Sequence, residues 1–177
     1  MVDKSLGGMA GAFEPPKHLV IIQTEDWVLN HRVDTALPGY LMLGARMPTN
    51  DLSLLRSKAL AQLGTLLASA QRALTAVLKP EHLYIGRFGH TTGHALHFHL
   101  IPICGWIRQR FFADPRYGML KNLHAHVLNA DDDKTDGAEL MLYIWREFCE
   151  SPTPPPIPRP SIREVVERLK ALMPARR

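Results

Sequence analysis

Two histidines two residues apart, His97 and His99 in the run HALHFHLIPI from His94 to Ile103, are the side chains of this sequence best suited to do chemistry. Ala95, His97, His99 and Ile101 alternate with Leu96, Phe98 and Leu100. This period of two predicts a half-buried β-strand with both imidazoles on one face. Neighbours at i and i+2 on a strand stand roughly 6.5 to 7 Å apart, so the pair can address one phosphate-sized group or one metal ion. Both must find hydrogen-bond partners or titrate, whether as satisfied core histidines, metal ligands or participants in phosphorus chemistry.

A metal site needs three or four ligands, and Leu100 to Trp106 offers no carboxylate to complete an H-x-H cluster, so only distant residues could do so. No metal and no cofactor is expected. Phosphoryl chemistry needs a nucleophile, donors for the phosphoryl oxygens and backbone that can come close to them. All three are adjacent: His97 and His99, the hydroxyls of Thr91 and Thr92, and Gly86, Gly89 and Gly93. A neutral imidazole is nucleophilic near pH 7 and leaves a phosphoramidate that water can open. Arg87 is a candidate source of positive charge. His124 and His126 also spell H-x-H, but Leu120, Leu123 and Val127 recur there at helical spacing. On a helix, i and i+2 diverge and would not converge on one ion.

The elements that must position the pair can be read on either side of it. Leu19 to Gln23, Trp27 to Arg32 and, after the Pro38-Gly39 turn, Tyr40 to Ala45 are β-prone runs and predict an antiparallel meander. Thr49, Asn50 and Asp51 are capping residues ahead of a long amphipathic helix whose apolar positions run from Leu52 to Val77, ended by Lys79-Pro80. A fourth strand near His82 to Arg87 leads through a glycine-punctuated loop into the histidine strand, after which Pro102 and Gly105 are expected to break regularity. Asp136-Gly137 opens a helix with the face Leu140, Ile144, Trp145 and Phe148. A proline-rich extended linker spans 151–160, and Ser161 with Glu164 forms a capping box before a basic amphipathic helix over 161–177. The expected organisation is a flexible lead-in over 1–17, one α+β domain over 18–150, the linker and the C-terminal helix. That helix has a full apolar stripe and should dock on its own domain or on a partner subunit.

A chain of 177 residues can bury a sizeable core in one domain. Asp3, Lys4 and Glu14 interrupt the N-terminus where a secretory segment would be apolar, and no apolar run approaches the ~18 residues of a membrane span, so a cytoplasmic protein without membrane contact is expected. The isolated Cys104 and Cys149 read as reduced buried thiols. The net charge of +4 lies entirely after residue 156, where six basic residues stand against two acidic ones. A basic tail on a neutral domain argues weakly for a polyanion and against specific nucleic-acid recognition.

The segment A-L-H-F-H-L-I, from Ala95 to Ile101, resembles the H-φ-H-φ-H-φ-φ motif of the histidine triad family of nucleotide hydrolases and transferases. WVLNHRVDTALPGYLML resembles that family's strand, P-G turn and strand, and element order matches from about Leu19 to Pro102. The resemblance implies an antiparallel sheet with a long helix across it, a nucleotide or dinucleotide substrate and a homodimer. It implies that His97 is the nucleophile that becomes a nucleotidyl-histidine and that His99 donates to a phosphate oxygen. Thr92, with Thr91 and Gly93 beside it, falls where the family contacts phosphate, and Asn30 falls at the ribose position if two extra residues are allowed before Pro38. The chain departs from the motif at Ala95, in place of its first histidine, at Tyr40, where histidine often follows P-G, and at Tyr84, in place of a phosphate-side amide. These changes imply an altered substrate or a slower enzyme. A nucleotide-binding module without turnover and a His-ligated metalloprotein remain as alternatives.

Overall fold

The computed structural model describes residues 14–88, 95–117 and 137–173. Strands β1 (Val20–Gln23), β2 (Trp27–His31) and β3 (Leu41–Ala45) form the antiparallel meander that their alternation predicts. With β4 (His82–Gly86) and β5 (His97–Ile103) they make a five-stranded antiparallel sheet in the order β1-β2-β3-β5-β4. The histidine strand β5 is held on both sides, with Met42 opposite His99 and Gly44 opposite His97 on β3, and Gly86 opposite His99 on β4. A slip of one residue would break both ladders and turn both imidazoles to the other face.

The helices of the described residues are α1 (Ser57–Leu78), α2 (Gly105–Ala113), α3 (Ala138–Ile144) and α4 (Ile162–Leu172). They divide between the two faces of an α+β fold. On one face Trp27, Leu29, Leu41, Leu43, Leu96 and Leu100 are buried with Ala59, Ala70 and Leu74 of α1 and with Val165, Val166 and Leu169 of α4. On the other, Tyr40, Ile101 and Ile103 pack with Ile107 and Phe111 of α2, Leu140 and Tyr143 of α3, and Phe148. This second layer covers only part of its face, and the uncovered part carries His97 and His99. Pro38-Gly39 makes the turn into β3 as expected. Gly39 has φ +84°, a backbone conformation that residues with a side chain rarely adopt, which favours glycine at this turn.

Three local expectations are corrected. Asp51 does not cap the long helix. Its carboxylate accepts from the Ser53 backbone N–H at 2.8 Å and caps a separate 3₁₀ turn, Leu52–Leu54, before α1 starts at Ser57. The break lets Leu55 reach the core while Leu52 and Leu54 stay exposed. Pro102 does not end the histidine strand. Beyond Leu100 the strand has no partner on β3 and is an edge, where a missing N–H is tolerated; Gly105 then opens α2. Trp145 does not join the buried face of the helix begun at Ala138. At Trp145 the helix widens into a π-helical turn, Trp145–Glu150, which changes the rotation per residue. Phe148 and Glu147 turn inward and Trp145 is left 42% exposed. The segment carrying His124, His126 and the Asp131–Asp133 run lies outside the described residues.

Helix α4 is capped as its sequence suggests. The Ser161 hydroxyl accepts from the Glu164 backbone N–H, and the Glu164 carboxylate accepts from the Ser161 N–H at 2.7 Å. The helix lies along α1 and β1, where the Lys170 ammonium also donates to the His18 carbonyl.

Candidate active site

The uncovered part of the sheet forms the floor of a cavity of about 520 Å³. Strand alternation brings Val28 and Asn30 of β2, Met42 and Gly44 of β3, and His97 and His99 of β5 to this one face, side by side in register. Gly44, directly opposite His97, leaves the space beside the imidazole open. Ala95, Phe88, Arg32, Val33, Asp34 and Trp145 complete the walls.

The two imidazoles meet edge to face with ring centroids 4.9 Å apart, as the alternation predicts. Nδ1 of His97 lies 2.8 Å from the backbone carbonyl of Ala95. A carbonyl only accepts, so this nitrogen carries a proton, and in the neutral form of the ring Nε2 holds the lone pair. His99 is 4% exposed and is held from three sides: His97, the Phe88 ring at 5.5 Å between centroids, and the Tyr40 hydroxyl 3.0 Å from Nδ1. Burial first, then the neighbouring His97 and Arg32, lower its pKa to about 4, so the ring is neutral near pH 7.

Behind His99 stands a polar chain that sequence reasoning did not assemble. An Arg32 N–H donates to the Tyr40 hydroxyl at 2.8 Å, and Asp34 grips the same guanidinium at 2.6 and 2.9 Å. Arg32 is 5% exposed, lying 4.4 Å over the Trp145 ring and 5.0 Å over the Tyr40 ring. Burial opposes its charge, but the Asp34 carboxylate more than offsets this and the guanidinium stays firmly protonated. The same contact holds the Asp34 carboxyl below its ordinary range. Burial pushes the Tyr40 phenol up to about 12, so it keeps its proton.

His31 holds the loop that carries these groups. Its Nδ1 lies 2.9 Å from the Arg32 carbonyl, and its Nε2 lies 3.1 Å from both the Gly39 N–H and the Leu37 carbonyl. Burial lowers the pKa of this neutral ring. From the far side, the Phe148 carbonyl accepts from the Ala36 N–H at 2.7 Å and from the Thr35 hydroxyl at 3.3 Å. The π-helical turn thus presents both Trp145 and an anchor for the loop, in keeping with the use of such turns at functional sites.

Of the residues proposed from sequence, His97, His99 and Asn30 come together in one cavity. Asn30 is buried inside β2 and its Nδ2 donates to the His31 carbonyl at 2.7 Å. Thr91, Thr92 and Gly93 lie outside the described residues, as does His94. Arg87 is not the cation of this cavity, because its guanidinium donates to the backbone and side chain of Asn50. Tyr84 packs against Gly137 and does not line the cavity. Tyr40 was visible as a departure after the P-G turn, and the two extra residues before Pro38 signalled an altered loop. Nothing local in the sequence pointed to Trp145. A larger cleft of about 790 Å³ past Lys17, Gln23, Arg46 and Arg56 is lined by no histidine or cysteine, and its Arg56 is closed in ion pairs with Glu25 and Asp26.

No protein-family model matches this chain, and no curated protein matches its sequence. Solved structures do resemble it. A zinc-bound histidine triad family protein from Mycobacterium smegmatis is 15% identical, with 87% of this chain and 82% of that one covered at a TM-score of 0.48. A hypothetical histidine triad nucleotide-binding protein from Sulfolobus tokodaii is 15% identical, with 86% and 85% covered at a TM-score of 0.44. A Hit-like protein involved in cell-cycle regulation from Bartonella henselae is 15% identical, with 49% and 70% covered at a TM-score of 0.43.

Proposed function

We propose that this chain is a nucleotidyl hydrolase or transferase in which His97 attacks the α-phosphorus of a nucleotide phosphoanhydride or phosphoramidate. The observation that carries this reading is the orientation of His97: with Nδ1–H given to the Ala95 carbonyl, Nε2 is the nitrogen that holds the lone pair in the neutral ring, in a cavity that also holds the neutral His99. In the first step a bond forms from Nε2 to phosphorus, and the bridging bond breaks. Its electron pair goes to the leaving group, which takes a proton from solvent. Water or an acceptor then opens the nucleotidyl-histidine and returns the imidazole. His99 donates to a non-bridging oxygen, with Thr91, Thr92 and Gly93 as further phosphate contacts and Asn30 at the ribose. Each such donor, placed where charge develops, contributes about 3 to 4 kcal/mol. No metal or cofactor takes part, the protein acts as a homodimer, and its setting is the cytoplasm.

A second reading, a binding module that holds a nucleotide without turning it over, is favoured by Arg32. The guanidinium lines the cavity but is committed to Asp34 and Tyr40, and so contributes little free positive charge to a phosphate. The test is to incubate the protein with nucleotides labelled at the α-phosphate, with and without chelator, and to denature without acid, since phosphoramidates are acid-labile. Label should appear on His97 in both conditions. His97→Ala should remove the label and lower kcat by about a thousandfold or more while nucleotide binding persists. Tight binding with neither label nor turnover across many leaving groups would establish the binding module, and loss of turnover with chelator would establish a metal site.

A further inference from the structure

We propose that Tyr40, backed by Arg32 and Asp34, is a positioning residue that fixes His99 as the neutral tautomer with its proton on Nε2, facing the substrate. This role rests on the reading of His97 as nucleophile and His99 as phosphate donor, and adds what makes His99 a donor.

The groups stand in one file of hydrogen bonds. Asp34 takes two N–H groups of Arg32, at 2.6 and 2.9 Å, which fixes the plane of the guanidinium. Stacking between the Trp145 and Tyr40 rings fixes its position. The remaining NH1 donates to the Tyr40 oxygen at 2.8 Å. A phenol has one proton to give, and with its oxygen already receiving from Arg32, that proton is directed to the acceptor 3.0 Å away, Nδ1 of His99. An Nδ1 that accepts leaves the single imidazole proton on Nε2.

Protonation of His99 would place N–H against O–H at this contact, with the Arg32 cation directly behind. Among the described residues, the titratable groups around His99 are His97 on its own strand, Arg32 and Asp34 on the loop after β2, and Tyr40 before β3. Phe88 after β4 and Trp145 on the π-helical turn add uncharged walls. Cys149 of that turn also lies near Arg32 and Tyr40, with its thiol pushed up by burial. Asp34 is the one group here that favours a charged His99, and its charge is shared with Arg32. The lowered His99 and raised Tyr40 pKa values agree with a neutral ring and a protonated phenol.

Two-bond ¹H–¹⁵N correlation of the imidazoles in the full chain, recorded from pH 8 down to about pH 2.5, tests this role and needs no turnover. His99 should show a bare Nδ1 and a protonated Nε2 across the neutral range. Tyr40→Phe should raise its titration midpoint by about one pH unit, a tenfold change in proton affinity, since the neutral form loses its donor. The same variant should lower kcat with little change in KM. Asp34→Asn, at a largely exposed side chain, should move the midpoint the opposite way, because the arginine then stands uncompensated. A proton on Nδ1 of wild-type His99, or a midpoint that neither variant moves, overturns the proposal. If the protein shows no turnover while His99 behaves as stated, the nucleotidyl-transfer reading fails and the positioning role stands.

Discussion

At the scale of single residues, we propose that the backbone at Ala95 limits the consequence of losing the motif's first histidine. The partner of the His97 Nδ1 is the backbone carbonyl of residue 95, which any side chain there would supply. We therefore expect Ala95→His to change kcat by less than about tenfold, or 1.4 kcal/mol in barrier, measured on the best labelled substrate. A gain of a hundredfold would mean that an imidazole at this position does work the carbonyl does not. The pairing of His97 with His99 was legible because a strand's period of two is a property of the local sequence. The Asp34–Arg32–Tyr40–His99 file was not, because it joins a loop, a turn and a distant strand by side-chain geometry that no periodicity records. Arg87, the cation the sequence offers for the site, is in space the partner of Asn50.

At the scale of elements, the meander, the long helix and the histidine strand followed from alternation and helical spacing, whereas departures came where one element passes into another. The 3₁₀ turn at Leu52–Leu54 and the π-helical turn at Trp145–Glu150 each alter the rotation per residue, so apolar spacing counted through them misplaces Leu52 and Trp145. Helix α4 tests the energetics of one such element. Leu169 is fully buried among α1, β1 and its own helix. Leu169→Ala should lower the unfolding free energy by about 2 to 5 kcal/mol, read by urea denaturation, through lost burial and the cavity left behind. A change under about 0.5 kcal/mol, typical of surface sites, would mean that α4 is not docked in solution.

At the scale of the whole molecule, two neutral histidines are built into the folded state. His31 and His99 both have pKa values lowered from the ordinary 6.5 by burial, His99 to about 4. Between these two pH values the unfolded chain binds protons that the folded chain refuses. The stability is therefore complete above about pH 6.5 and is lost as the pH falls toward 4, with each histidine giving up about 1.4 kcal/mol for every pH unit that separates its folded and unfolded pKa. Asp34, held low by Arg32, adds to the loss at still lower pH. Thermal unfolding should show a midpoint that falls steadily from pH 7 to pH 4.5, and His99→Asn should flatten the slope. A level profile in the wild-type protein would contradict the burial of neutral imidazoles. Among the described residues no helix is long and apolar enough to cross a membrane.

Tyr40 belongs to two systems at once. Its hydroxyl stands in the polar file behind His99, while its ring is buried in the layer that includes Leu37, Ile101, Ile107, Phe111 and Phe148. The alignment of one proton in the cavity is thus inherited from rings and methyl groups that do not themselves line it. Selection for a working pocket would act in the same stroke on the fit of Phe111 against Tyr143 and of Tyr143 against Phe148. Drift in that distant layer would be felt first as a wandering tautomer, before the chain as a whole came apart.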